Sequence, residues 1–140
     1  MERQAGDGLF YRGQQDLTIA ACMATIKELE KPGIYDQLNG LTQKVTAGIL
    51  DIAKKKNMVI YCDHIGSIWQ IAFGISERMK DYRDNFKVDK LKYQRLRKKC
   101  FERGIRLHPS RGRQYVSAAH TDEDIDRTLL IIEEVLAEMT

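Results

Sequence analysis

Apolar residues recur every three or four positions in four stretches of the chain, which is the spacing of one face of an α-helix. The first stretch covers residues 16–30 and ends at Lys31-Pro32-Gly33, and the second covers residues 34–56. The third covers residues 89–103, and the last continues from Thr121 to residue 139. We therefore predict four helices, of which the last has the clearest apolar stripe.

The ends of these predicted helices carry residues that stabilise helix termini. Asp16 is a candidate N-cap of the first helix, and the lysines at positions 54–56 lie where a helix dipole favours cations. Gly104 follows the third helix, at a position where glycine often ends a helix. Thr121 and Asp124 have the spacing of a capping box, with Asp in place of the usual Glu.

Short runs of β-branched and aromatic residues predict strands between the helices. Residues 58–62 and 67–73 form one pair, separated by a turn at 63–66. Residues 105–107 and 114–118 form a second pair, which flanks a turn at 108–113. The order of elements predicts an α+β fold with a small, mainly antiparallel sheet of three to four strands packed against helices.

Residues 1–15 hold several glycines and no periodic apolar pattern. We predict that they form an extended N-terminal arm and that residues 16–140 form one folded domain. A chain of 140 residues, with 43% apolar and 31% charged residues, buries enough surface to need no disulfide or structural metal. The composition excludes a disordered, collagen-like or disulfide-stapled chain.

The chain shows no sign of a membrane or export segment. No apolar run approaches the roughly 18 residues that cross a bilayer, and the first 20 residues carry charges throughout. Cys22, Cys62 and Cys100 are odd in number and form no CxxC pair, so we expect reduced residues in a core. These features predict a cytoplasmic protein.

Positive charge is concentrated in one stretch. Residues 77–113 carry 14 Lys or Arg against 5 Asp or Glu, so this stretch is +9 whereas the remainder is −6. One interpretation is a stand-alone, non-catalytic module that binds an acidic partner or nucleic acid through residues 77–113. The other is a solvated helix face, which we favour because no nucleic-acid-binding motif accompanies the cations.

The three histidines, His64, His108 and His120, are dispersed and have no second ligand at the spacing of a zinc site. We expect His120 to order the turn between the last strand and the last helix. No GxSxG motif indicates a nucleophilic serine, so no catalytic residue is assigned within this chain and no metal is expected.

The turn at residues 108–113 carries two arginines, Arg111 and Arg113, on either side of Gly112. A guanidinium group binds a carboxylate or a phosphate through two parallel hydrogen bonds. The arginines are therefore either a binding pair for an acidic group or two exposed cations.

Three segments together carry a family pattern. They read AACMATIKELEKPGIY at residues 20–35, IGSI at 65–68, and GIRLHPS at 104–110 followed by VSAAHTDEDI at 116–125. The chain resembles the C-terminal small domain of the class III, fold type I, pyridoxal-phosphate-dependent aminotransferases, and within that class the glutamate-1-semialdehyde aminomutases most. The resemblance covers the chain from about residue 9 onward.

The resemblance implies a domain that packs against a larger, pyridoxal-phosphate-binding domain and closes one wall of an active site. It also implies a homodimer and an amino-acid substrate. In such enzymes the cofactor forms a Schiff base with a lysine and acts as an electron sink. The family's lysine lies in the large domain, so the resemblance implies that this chain has no activity by itself.

The chain departs from the family pattern just before the first helix. The family has G-T-x-S-G-N-P there, and its Thr contacts the cofactor phosphate of the partner subunit. This chain has FYRGQQD at residues 10–16, with Tyr11 at the position of the Thr. Tyr11 and Arg12 are therefore the candidate cofactor-binding residues that the resemblance implies.

A second departure lies in the turn at residues 108–113. The aminomutases have P-S-Q-F-E, with an acidic residue facing the active site, whereas this chain has PSRGR and is one residue shorter. A guanidinium thus replaces a carboxylate. The resemblance implies a substrate whose carboxylate is held by Arg111 or Arg113, as in relatives that act on β-amino acids.

Overall fold

The computed structural model describes residues 7–109 and 112–139, and the side chains from residue 15 onward within those ranges. The chain divides into two compact units, Met1–Tyr35 and Asp36–Thr140. In chain order the elements are α1 (Asp7–Leu29), α2 (Ile34–Lys55), β1 (Ile60–Ile65), β2 (Ile68–Phe73), a short 3-10 helix (Tyr82–Phe86), α3 (Lys90–Glu102), β3 (Arg113–Tyr115) and α4 (Asp122–Ala137).

The first unit consists mainly of α1, which begins at Asp7 rather than at Asp16. The predicted extended arm over residues 1–15 is therefore wrong from Asp7 onward. Gly8 and Gly13 each cost a helix about 1 kcal/mol, but no proline interrupts the run, and extending a helix that is already nucleated costs little. No helix among the described residues has the length and apolarity needed to span a membrane.

The apolar stripe of α1 is exposed, which the sequence did not predict. Cys22 is also exposed, against the expectation of a core residue, whereas the other two cysteines are buried and reduced. The apolar side chains of α1 that lie exposed are Leu17, Ile19, Met23, Ile26 and Leu29.

The second unit has one apolar core between its helices and its sheet. In α2 and α4 the apolar residues at three- and four-residue spacing are mostly buried, because that spacing places them on one face. In α3 the expected apolar residues Leu91 and Phe101 are exposed. The fully buried side chains include Val45 and Ile49 from α2, Ile71 and Phe73 from β2, Leu96 and Cys100 from α3, and Ile132, Val135 and Leu136 from α4.

The sheet has three strands in the order β1-β2-β3, and both pairings are antiparallel. Ile65 pairs with Ile68, so Gly66 and Ser67 form a two-residue hairpin turn. Gly66 has a φ of 55°, which the tight turns that match the twist of a hairpin require. The predicted α+β fold with a small antiparallel sheet is confirmed.

The second predicted strand pair differs from the structure. Residues 105–107 do not pair in the sheet, and β3 covers only Arg113–Tyr115 rather than 114–118. Leu107 is buried as an apolar anchor. The backbone of the next residue, His108, bonds to the side chains of Gln114 and Tyr93. These side chains hold the end of the 105–107 segment in place of a neighbouring strand.

The turn into α4 has the predicted chemistry. Thr121 and Asp124 form a reciprocal capping box, in which the Asp124 backbone N–H donates to Thr121 Oγ1 over 3.2 Å. The Ser117 backbone N–H donates to His120 Nδ1 over 3.0 Å. The prediction that His120 orders this turn is confirmed.

Candidate functional site

The outer face of the sheet, which points away from the core of the second unit, forms a cleft of about 580 Å³. All three strands and the segment that follows β2 line it. Because side chains alternate along a strand, the register brings Asp63, Gln70 and Arg113 into one row across this face. The charged and aromatic residues that line the cleft are Tyr61, Asp63, His64, Trp69, Arg78, Asp81, Arg113 and Tyr115.

One end of this row is a stabilised carboxylate. The His64 backbone N–H donates to Asp63 Oδ1 over 2.8 Å, and the Tyr61 hydroxyl donates to Asp63 Oδ2 over 2.9 Å. These two hydrogen bonds, in that order, lower the pKa of Asp63, and the positive charge of Arg78 adds to the effect. Asp63 therefore remains ionised, and part of its charge is balanced by Arg78.

The other end of the row is a guanidinium. Arg113 is exposed in the cleft and has no salt-bridge partner within the part of the chain that the structure describes. A planar guanidinium presents a fork of N–H donors that matches a carboxylate. This end of the cleft is chemically suited to a small anionic group.

Gly112 fixes the backbone next to this arginine. Its φ is 65°, and its carbonyl accepts a hydrogen bond of 3.0 Å from the Ile71 backbone N–H. A Cβ atom at this position would overlap the Ile71 carbonyl oxygen. Only glycine satisfies both the dihedral angle and the close approach to β2.

A ring of three hydrogen bonds lies behind the turn. The His108 backbone N–H donates to Gln114 Oε1 over 2.7 Å, and Gln114 Nε2 donates to the Tyr93 hydroxyl over 2.9 Å. The Tyr93 hydroxyl in turn donates to the His108 carbonyl. Tyr93 and Gln114 are only 6% and 5% exposed, so this polar ring lies inside the core.

The structure describes the side chain of only one of the four predicted site residues. Arg113 lies in the outer-face cleft, whereas Arg111 lies outside the described residues. The backbone of Tyr11 and Arg12 belongs to α1, and their side chains lie outside the described part. Their predicted contact with a cofactor phosphate stays a prediction.

Sequence reasoning missed three residues of the cleft: Tyr61, Asp63 and Arg78. Alternation within β1 indicates that Tyr61 and Asp63 share a face, but the signal was weak because the turn was predicted to begin at Asp63. Arg78 lies in a stretch without periodicity, which gave no indication that it faces the sheet. Only the fold brings it there.

The lysines bear on how a pyridoxal cofactor would be held. Each lysine among the described residues is exposed or half-buried. Hydrogen bonds with Asp126, Asp51 and Asp84 raise the pKa values of Lys44, Lys55 and Lys87, respectively. A Schiff-base lysine must lose its proton, which desolvation favours and a carboxylate opposes. Lys44, Lys55 and Lys87 therefore do not fit covalent attachment of the cofactor, and we assign no step through it.

The basic stretch at 77–113 is partly neutralised within the fold. Lys99 Nζ lies 2.5 Å from a carboxylate oxygen of Glu138, and Arg103 forms an ion pair with the same glutamate. Lys87 pairs with Asp84 at 2.7 Å. These cations hold α3 against the end of α4 or close a local turn, which supports the interpretation of a packed helix with a solvated face.

Solved structures of transaminases and aminomutases contain a domain with this fold. The crystal structure of a glutamate-1-semialdehyde aminomutase from Pseudomonas aeruginosa PAO1 matches with a TM-score of 0.76 at 18% identity, over 84% of this chain and 26% of that one. A β-phenylalanine aminotransferase from Variovorax paradoxus matches with a TM-score of 0.62 at 22% identity, over 76% of this chain and 23% of that one. At these identities the likeness shows the fold.

The sequence gives the more particular match. The chain is 30% identical to glutamate-1-semialdehyde 2,1-aminomutase of Archaeoglobus fulgidus over 141 aligned positions, which cover 97% of this chain and 33% of that protein. No protein-family model matches the chain. The chain thus spans about a third of the length of the curated relative, and its resemblance to a small domain of pyridoxal-phosphate-dependent aminotransferases is confirmed.

Proposed function

We propose that this chain is the C-terminal small-domain portion of a pyridoxal-phosphate-dependent aminotransferase or aminomutase. It forms one wall of the substrate pocket and contributes to a homodimer, but it carries no Schiff-base lysine. The observation that supports this best is the Arg113 guanidinium, which has no ion-pair partner among the described residues and lies in a cleft on the outer face of a sheet with the aminotransferase small-domain fold. The 33% coverage of the curated relative leaves room for a companion large domain.

In this proposal Arg113 binds the carboxylate of an amino-acid substrate, together with Arg111 from the same turn. A guanidinium on a wall partly shielded from water binds a carboxylate strongly and fixes its orientation. Asp63 lies two strands away, about 10 Å across the sheet, and its negative charge disfavours a carboxylate at that end. The substrate is therefore oriented with its carboxylate toward β3.

The companion large domain supplies pyridoxal phosphate and the lysine that holds it, and the cofactor provides the electron sink for the reaction. Tyr11 and Arg12 are the residues of this chain that we propose to contact the cofactor phosphate. Their helical backbone places both in α1.

The test uses the complete enzyme that contains this domain. We expect Arg113→Ala, and more strongly Arg113→Ala combined with Arg111→Ala, to raise KM for the amino-acid substrate by roughly 30-fold or more, equivalent to about 2–5 kcal/mol. Arg95→Ala is the matched control, since Arg95 is exposed on α3 away from the cleft.

Replacing Arg113 should not change the stability of the chain. The free energy of unfolding of the Arg113→Ala chain should stay within about 0.5 kcal/mol of the parent, because the side chain is exposed and forms no ion pair with a described residue. An unchanged KM in the double variant would refute the carboxylate assignment. Stoichiometric attachment of equimolar pyridoxal phosphate to one particular lysine of the isolated chain, detected by peptide mass spectrometry after borohydride reduction, would refute the missing-lysine assignment.

A further inference from the structure

The short strand β3 has an unusual pattern. Its core-facing residue is the polar Gln114, between the outward-facing Arg113 and Tyr115. A slip of one residue would turn Arg113 into the core and Gln114 toward the cleft, because side chains alternate between the two faces of a strand. Apolar burial within β3 does not prevent such a slip, so another interaction must set which face Arg113 occupies.

The hydrogen-bonded ring supplies that interaction. Gln114 bonds with both ends of its amide, to the His108 backbone N–H and to the Tyr93 hydroxyl, and the ring closes on the His108 carbonyl. A single phenol on α3 thus joins residue 108 and residue 114, which lie at the start of the turn and in the strand that follows it.

We propose that Tyr93 and Gln114 are positioning residues that hold Arg113 on the outer face of the sheet for carboxylate binding, an assignment that rests on the proposed function of Arg113. The ring acts through the backbone, since neither side chain enters the cleft. Its chemistry is directional: the Gln114 amide oxygen accepts from the His108 backbone N–H, and the amide nitrogen donates to the Tyr93 hydroxyl.

The energetics of burial support this role. A buried donor or acceptor that loses its partner destabilises the fold, so the ring is stable only when every member is present. Burial is the main cause that raises the pKa of Tyr93, so the phenol keeps its proton and remains a donor to His108. A purely apolar core at these positions would pack as well but would not specify the register.

The experiment measures kinetics of the complete enzyme with the variants Tyr93→Phe and Gln114→Leu. We expect KM for the amino-acid substrate to rise about 10- to 100-fold, as misplacement of a binding group does, with a much smaller change for the corresponding amine that lacks the carboxylate. The matched controls are Tyr82→Phe and Gln94→Leu, both at exposed positions. They should leave both KM values unchanged.

The double variant Tyr93→Phe with Gln114→Leu separates positioning from stability. Removing both partners of a buried hydrogen bond is less harmful than removing one, so the double variant should regain part of the stability lost by each single variant. We expect its KM to stay raised. A KM that recovers together with stability would show that the ring is only structural and would overturn the proposal.

A readout that needs no activity uses amide hydrogen exchange of the 140-residue chain. The Ile71 N–H bonds to Gly112 and the His108 N–H bonds to Gln114, so both should exchange faster in each single variant. The Gly74 N–H, bonded to Val59 at the other end of the hairpin, is the internal control. Unchanged exchange at Ile71 and His108 would overturn the proposal.

The outcomes for Arg113 and for the ring are distinguishable. A raised KM in Arg113→Ala with a normal KM in both ring variants would overturn the positioning role and leave the proposed function standing. A normal KM in Arg113→Ala would overturn the proposed function itself.

Discussion

Replacing Gly112 by alanine tests how the turn is fixed. The residue has a φ of 65°, and an added Cβ would overlap the carbonyl oxygen of Ile71 in the neighbouring strand. The left-handed conformation costs a residue with a Cβ about 1–2 kcal/mol. Relief of the overlap must move the backbone away from β2, which weakens the Ile71 to Gly112 hydrogen bond by about 1 kcal/mol.

The sum is a loss of about 2–3 kcal/mol in the free energy of unfolding. Urea denaturation, followed by circular dichroism, measures it. With a slope near 2 kcal/mol/M for a chain of this size, the midpoint should fall by about 1–1.5 M while the slope stays constant.

Two other glycines provide matched controls. Gly66 has a φ of 55° but nothing within 4 Å of an added Cβ, so Gly66→Ala should show the dihedral cost alone. Gly40 lies inside α2 with open space around it, so Gly40→Ala should stabilise the chain by about 0.5–1 kcal/mol. If Gly112→Ala costs no more than Gly66→Ala, the close approach to Ile71 does not hold the turn.

Three further predictions concern the remainder of the fold. Hydrogen bonds lower the pKa of Asp84 to about 2, and the strongest of them comes from Lys87. The stabilisation that this carboxylate provides is therefore present above pH ~4 and lost as the pH falls toward 2. Asp84→Asn should flatten the acid side of a urea-stability profile. Ile132 is fully buried, so Ile132→Ala should cost about 2–5 kcal/mol in the same assay, and a loss under 1 kcal/mol would contradict the described core. Burial raises the pKa of the Cys62 thiol to about 12 and that of the Cys100 thiol to about 11, whereas Cys22 is exposed. Ellman's reagent at pH 8 should therefore detect one fast-reacting thiol, and Cys22→Ser should remove it.

The parts of the fold that the sequence predicted are those with local signals. The helix α4 has a capping box at Thr121 and a regular apolar stripe, and both features act within a few residues. The hairpin of β1 and β2 follows from two β-branched runs, although the turn, which was predicted at residues 63–66, lies at Gly66 and Ser67. Local propensity and periodicity suffice where the element's own residues decide its conformation.

The errors arose where partners distant in sequence decide the structure. Residues 105–107 have the composition of a strand. The backbone N–H and carbonyl of the next residue, His108, form hydrogen bonds with side chains of α3 and β3 instead. The start of α1 was missed because glycines obscured a run that continues a helix already formed. Its exposed apolar stripe shows that periodicity predicts which residues share a face, and does not predict what covers that face.

The candidate site was predictable only in part for the same reason. The turn chemistry of residues 108–113 pointed to the two arginines, and the structure places Arg113 in a cleft. The sequence did not indicate Asp63 or Arg78 as neighbours, because the strand register and a segment without periodicity bring them there. A site on a sheet face depends on pairings across the sheet, which no single segment encodes.

The arrangement around β3 separates the frame of the turn from the groups that face the cleft. Tyr93, Gly112 and Gln114 determine the backbone path from the inner side, where each is constrained by burial or by a close approach. Arg113 and Tyr115 occupy the alternate, outward positions, where their side chains are exposed and do not pack in the core. An acidic or a basic residue can therefore occupy the outward position without disturbing the fold. The side chain that faces the cleft is thus set independently of the residues that hold the fold.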